Sequence, residues 1–170
     1  STFPKGYSSE TGADMLLTNA AVGINKPRGS LESLDDVTAI FKAQPEETML
    51  NFLKASIKTN KEETEDIKKL HQAYSDGRFE ELIPLLEETK QRTLKLVDTK
   101  YAKAMSNWLK NDLLIRRNLA WLPEIRKQSA KQSTLFAVGI AHLPSEKGLI
   151  ELLRQEGYQV TPEPKVLIWQ

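Results

Sequence analysis

The sequence predicts an α+β fold that is mainly α-helical and carries a small sheet in a C-terminal β-α-β unit. The first observation is that apolar residues recur at helical spacings of three and four from about residue 12 to residue 127. The second is a continuous, partly β-branched apolar run over residues 134–138, which is typical of a strand buried on both faces. Residues 158–160 predict a second short strand, so a helix between the two runs would complete the unit.

The length and composition narrow the domain organisation and the class of protein. The 170 residues suit a single domain or domain fragment. We divide it into an N-terminal segment (1–44), a helical region (45–132) and the β-α-β unit with a tail (133–170). Because 24 Lys and Arg oppose 23 Asp and Glu, the net charge is +1 and no nucleic-acid partner is expected. The absence of cysteine excludes disulfides, thiolate nucleophiles and Cys-type zinc sites.

The N-terminal segment predicts two helices. The first covers residues 12–22 and ends at Gly23. The second begins at Ser33, where Asp36 three residues later forms a capping pair, and ends before Pro45.

The helical region continues the same periodicity. Residues 45–88 are predicted to form several helical segments, with Pro84 either kinking the last of them or opening the next turn. Residues 94–127 form the longest helical candidate, with a break or restart expected at Pro123. The apolar stripes of these helices, including Trp108 and Trp121, are predicted to be core.

The C-terminal segment predicts strand, helix and strand in order. The helix is expected over residues 146–156, with Ser145 as its cap and Gly157 as its end. The tail, residues 161–170, predicts one more strand or a docked end.

His142 is the candidate functional residue of this unit. It follows the first predicted strand, and ligands of open α/β sheets bind beyond the carboxyl ends of strands. Gly139 would let the backbone turn and a ligand approach, and the following helix would favour an anion in the same loop. The alternative is a structural, hydrogen-bonded histidine. The other histidine of the chain, His71, lies on a predicted helix. Because the chain has only two histidines, one copy cannot form a three-histidine metal site.

Several motifs resemble the TraB/PrgY/GumN family, to which the Tiki-type proteases are related. Gly139 and His142 form a Gly-x-x-His motif followed by the family's C-terminal signature. Arg117 and Asn118, with Trp121, are similar to the family's Arg-Asn-x-x-Trp helix. An N-terminal Gly-x-Asp helix that leads to Leu31 and Glu32 is similar to another family segment. The helical region is similar to that of family members only in its length and in its general helical character.

The resemblance implies a metal-dependent, peptidase-like hydrolase. Family members carry two Gly-x-x-His motifs and this chain has the second, so the chain is expected to be the C-terminal half or two-thirds of a member and inactive alone. His142 is implied as a metal ligand and Glu32 as a ligand or base. Arg117 would hold a substrate carboxylate or an oxyanion, with Gly139 and Asn118 as binding residues. The cofactor would be a divalent metal ion, and the partners would be the absent N-terminal half of the domain and a peptide or protein substrate.

Three alternatives and side predictions stay open at this stage. The chain can be a non-catalytic binding or regulatory module that keeps the family fold. Arg117 can pair with a neighbouring acid rather than with a substrate. Unpaired strand edges would favour a homo-oligomer. The resemblance also implies an exported or membrane-associated protein, although the sequence contains no membrane-spanning run.

Overall fold

The computed structural model describes residues 12–162, apart from the side chains of Asn60, Lys61 and Phe79. Over that range the chain divides into two compact units, with the boundary between Leu113 and Leu114. None of the helices described there is both long and apolar enough to cross a membrane.

The first unit is built from five α-helices followed by a π-helical segment. In chain order the elements are α1 (Ala13–Gly23), α2 (Leu34–Lys42), α3 (Glu46–Ser75), α4 (Phe79–Leu96), α5 (Thr99–Asn107) and the π-helix Trp108–Ile115, which ends just past the unit boundary. The long helices α3 and α4 pack against each other, and both contact α5. The five helices lie where the sequence predicts helical periodicity, whereas nothing in the sequence indicated the π-helix.

The start of α2 confirms the predicted capping pair. The backbone N–H of Asp36 donates to Oγ of Ser33 at 3.1 Å, and the backbone N–H of Ser33 donates to Oδ2 of Asp36 at 2.9 Å. This reciprocal pair satisfies backbone donors that the first turn would otherwise leave unpaired. The hydroxyl of Ser33 also donates to Oδ2 of Asp36 at 2.6 Å, and this hydrogen bond, together with the one from the backbone N–H of Ser33, lowers the pKa of Asp36 below its ordinary value.

The packing between α3 and α4 includes polar side chains as well as apolar ones. Thr59 donates to Oε1 of Glu63 at 2.5 Å and lies 3.5 Å from Thr93 of α4, between their hydroxyl oxygens. One turn further on, Oδ2 of the buried Asp66 accepts hydrogen bonds from Thr89 at 3.0 Å and from Arg92 at 2.5 Å. Because buried polar groups are costly unless they are hydrogen-bonded, these contacts specify the pairing of the two helices.

A cluster around Trp108 forms the apolar core of this unit. Trp108 and Met105 are buried against Leu94, and partly buried apolar residues cover them. The indole Nε1 of Trp108 donates to the carbonyl of Ile40 at 3.2 Å, and the ring meets Phe41 edge-on at 5.2 Å between centroids. The prediction that Trp108 belongs to the core is confirmed.

The second unit consists of α6 (Arg116–Ser129), a 3-10 turn (Ile140–His142) and α7 (Leu149–Gln155). Five apolar residues on α6 and α7 are buried: Trp121, Leu122, Ile125, Leu149 and Leu152. Pro123 lies inside α6 and Pro84 inside α4, so neither proline breaks its helix.

The predicted α+β fold with a small sheet is wrong for residues 12–162, which contain neither strand nor bridge. The apolar run 134–138 is irregular backbone, and Leu135 is 76% exposed rather than buried. Residues 158–160 are irregular too. A strand needs a neighbouring segment to accept and donate its backbone hydrogen bonds, and no part of the described chain supplies one.

The helix of the expected β-α-β unit is shorter than predicted. It begins at Leu149 rather than at residue 146, because Ser145 has φ 83° and residues 145–148 form a turn. The described range contains no strands, so it has no unpaired sheet edge of the kind from which a homo-oligomer was predicted. The predicted strand or docked end at residues 166–169 lies outside the described residues.

Candidate functional site

His142 lies at the end of the 3-10 turn in the second unit. Its backbone N–H donates to the carbonyl of Gly139 at 2.9 Å, which closes the turn. The residue is buried, with 7% of its surface exposed. The imidazole is therefore enclosed by neighbouring side chains rather than placed at an open strand end.

Asn118, near the start of α6, holds both the ring and the backbone of His142. Its Oδ1 lies 2.7 Å from Nδ1 of the imidazole. Its Nδ2 donates to the carbonyl of His142 at 3.2 Å and to the carbonyl of Lys147 at 2.8 Å. With 2% exposure, Asn118 is one of the most buried side chains of the chain, and its amide joins α6 to the 142–147 loop.

Arg117 and Trp121 also lie against the imidazole. The guanidinium NH1 of Arg117 lies 3.5 Å from Nε2 of His142. The Cζ atom of Arg117 also lies 5.0 Å from the centroid of the Trp121 ring, and that ring is 4.6 Å from the imidazole centroid at 41°. Because Arg117 and Trp121 are four residues apart on α6, the helix places both on one face.

Two glycines shape the loop around His142 in different ways. A Cβ on Gly139 would lie 3.7 Å from Cδ2 of His142, which is ordinary contact. A Cβ on Gly148 would lie closer than 3.0 Å to the backbone carbonyl oxygens of Leu143 and Pro144. The close approach of these backbone segments, which places the His142 loop against the start of α7, thus requires glycine at position 148.

The structure brings four of the five sequence-predicted site residues together in the second unit. His142, Asn118 and Arg117 are in mutual contact, and Gly139 starts the turn that carries the histidine. Glu32 belongs to the first unit, where it is half-buried in the bend before α2 and its carbonyl accepts a hydrogen bond from the Ser30 hydroxyl.

Sequence reasoning missed two contributors to this cluster. Trp121 is buried, as predicted for a core residue, but its ring also contacts the imidazole. The spacing of Trp121 from Arg117 could have indicated this contact. No role was predicted for Gly148, and only the close approach of the two carbonyl oxygens reveals its importance.

The described residues do not fit the expected divalent metal ion. A metal centre needs three or four converging ligands, and within residues 12–162 no group of three His, Cys, Asp or Glu side chains lies together. In addition, Nε2 of His142 faces a guanidinium, and one cation disfavours the approach of another.

The family model described as TraB/PrgY/gumN matches residues 3–162. This chain belongs to the TraB/PrgY/gumN family. The match covers nearly the whole chain, so the TraB/PrgY/gumN assignment includes the helical region and is not confined to the C-terminal signature. Comparisons with curated proteins and with solved structures gave no significant match.

Proposed function

We propose that this TraB/PrgY/gumN chain is part of a peptidase-like hydrolase, to which it contributes the cluster of His142, Asn118 and Arg117. The observation that carries the proposal is the contact between Nδ1 of His142 and Oδ1 of Asn118 at 2.7 Å. An imidazole that is held through one nitrogen keeps a defined orientation, so its other nitrogen can serve in proton transfer.

The proposed roles follow from the position of each group. Nε2 of His142 would accept a proton from the attacking water while the water oxygen bonds to the carbonyl carbon of the substrate. The same proton would then pass to the amine nitrogen as the C–N bond breaks. Arg117, whose NH1 lies 3.5 Å from Nε2, would move onto the oxyanion that develops on the carbonyl oxygen.

The metal dependence implied by the family resemblance needs ligands that the described residues do not provide. We propose that a segment carrying the other Gly-x-x-His motif of the family supplies them. Glu32 remains a proposed ligand or base in this arrangement. The proposal therefore treats the cluster around His142 as one part of a centre rather than as a complete site.

A second candidate is a non-catalytic binding or regulatory module. One observation favours it: His142 is buried and both of its ring nitrogens face side chains of α6. In this second candidate, the role of His142 is structural: its hydrogen bonds hold the 139–148 loop on α6.

The two candidates are separated by a peptide-hydrolysis assay on the natural gene product that carries this sequence. We expect turnover of a fluorogenic peptide library, loss of turnover with a chelator, and its return with added Zn²⁺ or Mn²⁺. His142→Ala should lower the rate by about 10²–10⁴-fold, the usual contribution of a general acid–base. The matched control is His71→Ala, at an exposed position on α3. Equal rates for wild type and His142→Ala, or no turnover by the wild type, would reject the hydrolase and favour the module.

A further inference from the structure

The amide of Asn118 can adopt only one orientation in its buried position. Both Nδ2 protons have acceptors, the carbonyl oxygens of His142 and Lys147. The reverse orientation would place Oδ1 against these two carbonyl oxygens, so three acceptors would meet with no proton between them. Oδ1 must therefore face the imidazole.

This orientation decides which ring nitrogen of His142 is protonated. Oδ1 of an amide only accepts hydrogen bonds, and it lies 2.7 Å from Nδ1. A hydrogen bond at that distance needs a proton, which only Nδ1 can provide. A neutral His142 thus carries its proton on Nδ1 and its lone pair on Nε2.

Arg117 leads to the same assignment from the other side of the ring. Its guanidinium has five N–H donors and no acceptor. An Nε2–H group would therefore meet another donor at 3.5 Å, whereas an Nε2 lone pair can accept from NH1. Both neighbours favour the same tautomer, and Asn118, at 2.7 Å, makes the shorter contact of the two.

We propose that Asn118 is a positioning residue that holds His142 in the Nδ1–H tautomer, so that Nε2 carries the lone pair. Asn118 acts through the imidazole and does not itself touch the reacting atoms. The consequence for catalysis rests on the proposed hydrolase function, because proton acceptance by Nε2 needs the lone pair there. The tautomer itself is independent of any activity.

The test is ¹⁵N NMR of the histidine side chains of the full chain, at a pH well above the ordinary histidine pKa of about 6.5. A protonated ring nitrogen and one with a lone pair have widely separated ¹⁵N shifts, so the tautomer is measured directly. The chain has only two histidines, and His71→Gln identifies the signals of His142.

Three variants separate positioning from a merely structural role. Asn118→Leu removes the acceptor at Nδ1, and we expect the proton to move towards Nε2. Asn118→Asp keeps an acceptor oxygen and loses the two amide donors, so we expect Nδ1–H to persist even where stability falls. Asn111→Leu, at an exposed position of the π-helix, is the matched control and should leave the spectrum of His142 unchanged.

A wild-type spectrum with the proton on Nε2 would overturn the proposal, and this outcome requires no variant to fold. Retention of Nδ1–H in a folded Asn118→Leu would show that Arg117 alone is sufficient for the tautomer, and it would overturn the role proposed for Asn118. In the hydrolysis assay we expect Asn118→Leu to lose about 10–100-fold in rate, as is typical for groups that orient a functional histidine. A shifted tautomer together with a wild-type protein that hydrolyses nothing would support the positioning role and reject the proposed function.

Discussion

Substitution of Gly148 by alanine is the sharpest test of how the His142 loop is held. A Cβ at this position would lie closer than 3.0 Å to the carbonyl oxygens of Leu143 and Pro144. Both atoms belong to the backbone, so neither can rotate away as a flexible side chain would. The loop must move, and the loop carries His142.

The expected cost follows from the contacts that must change. Overpacking by one methyl group typically costs about 1–3 kcal/mol, and a rigid backbone neighbour places this site at the upper end. Movement of the Leu143 carbonyl also weakens the hydrogen bond that it accepts from the N–H of Ile150 at 3.2 Å, a further loss of about 1 kcal/mol. We therefore expect Gly148→Ala to destabilise the second unit by about 4 kcal/mol.

Hydrogen exchange measured by mass spectrometry reports this loss of stability for the second unit separately from the first. The slowest amides of α7 (Leu149–Gln155) should exchange about a thousandfold faster, the factor that corresponds to about 4 kcal/mol. The matched control is Gly139→Ala, because φ −59° and ψ 140° suit alanine and its Cβ would meet Cδ2 of His142 at an ordinary 3.7 Å. Equal exchange rates in the two variants would refute the close approach of the two backbone segments at Gly148.

Two further predictions concern the first unit. Met105→Ala should lower the free energy of unfolding by about 3 kcal/mol, because Met105 is 0% exposed and its removal leaves a cavity beside Trp108. Urea denaturation measures the change, and Met15→Ala, at a residue 45% exposed on α1, should alter it by less than about 0.5 kcal/mol. Equal stability of the two variants would contradict the burial of Met105 in the cluster around Trp108. Hydrogen bonds from Ser33 lower the pKa of Asp36 in the folded chain. They therefore stabilise the fold at pH values above the pKa that Asp36 has in the unfolded chain. This stabilisation is lost as the pH falls through the lower pKa that Asp36 has in the folded chain. Ser33→Ala should raise the pKa of Asp36 towards its ordinary value in a carboxyl-detected NMR titration, and an unchanged titration would exclude the capping pair.

The helices were predictable because their signals are local. Apolar spacing within one segment shows which face of a helix is buried, and the pairing of Ser33 with Asp36 involves residues three apart. The break expected at Pro123 is wrong, because Pro123 lies inside α6, and Pro84 lies inside α4 rather than at the start of a new turn. Periodicity also gave no sign of the π-helix Trp108–Ile115.

The small sheet was predicted wrongly because a strand depends on a second segment. The apolar run 134–138 has the composition of a buried strand, yet its composition says nothing about which backbone would pair with it. In residues 12–162 no such partner is present, and the run adopts irregular structure with Leu135 exposed.

By itself, the sequence determined the positions of most helices, the core role of Trp108 and Trp121, and the family motifs that contain His142, Arg117 and Asn118. Each of these depends on residues close together in the chain, where spacing and residue type are sufficient. Only the tertiary structure decided that the His142 loop lies on α6, that Asn118 bridges Nδ1 and two carbonyl oxygens, and that Gly148 admits the close approach of two backbone segments. These contacts join residues 24–29 positions apart or depend on how closely two backbone segments approach, and no local pattern contains that information.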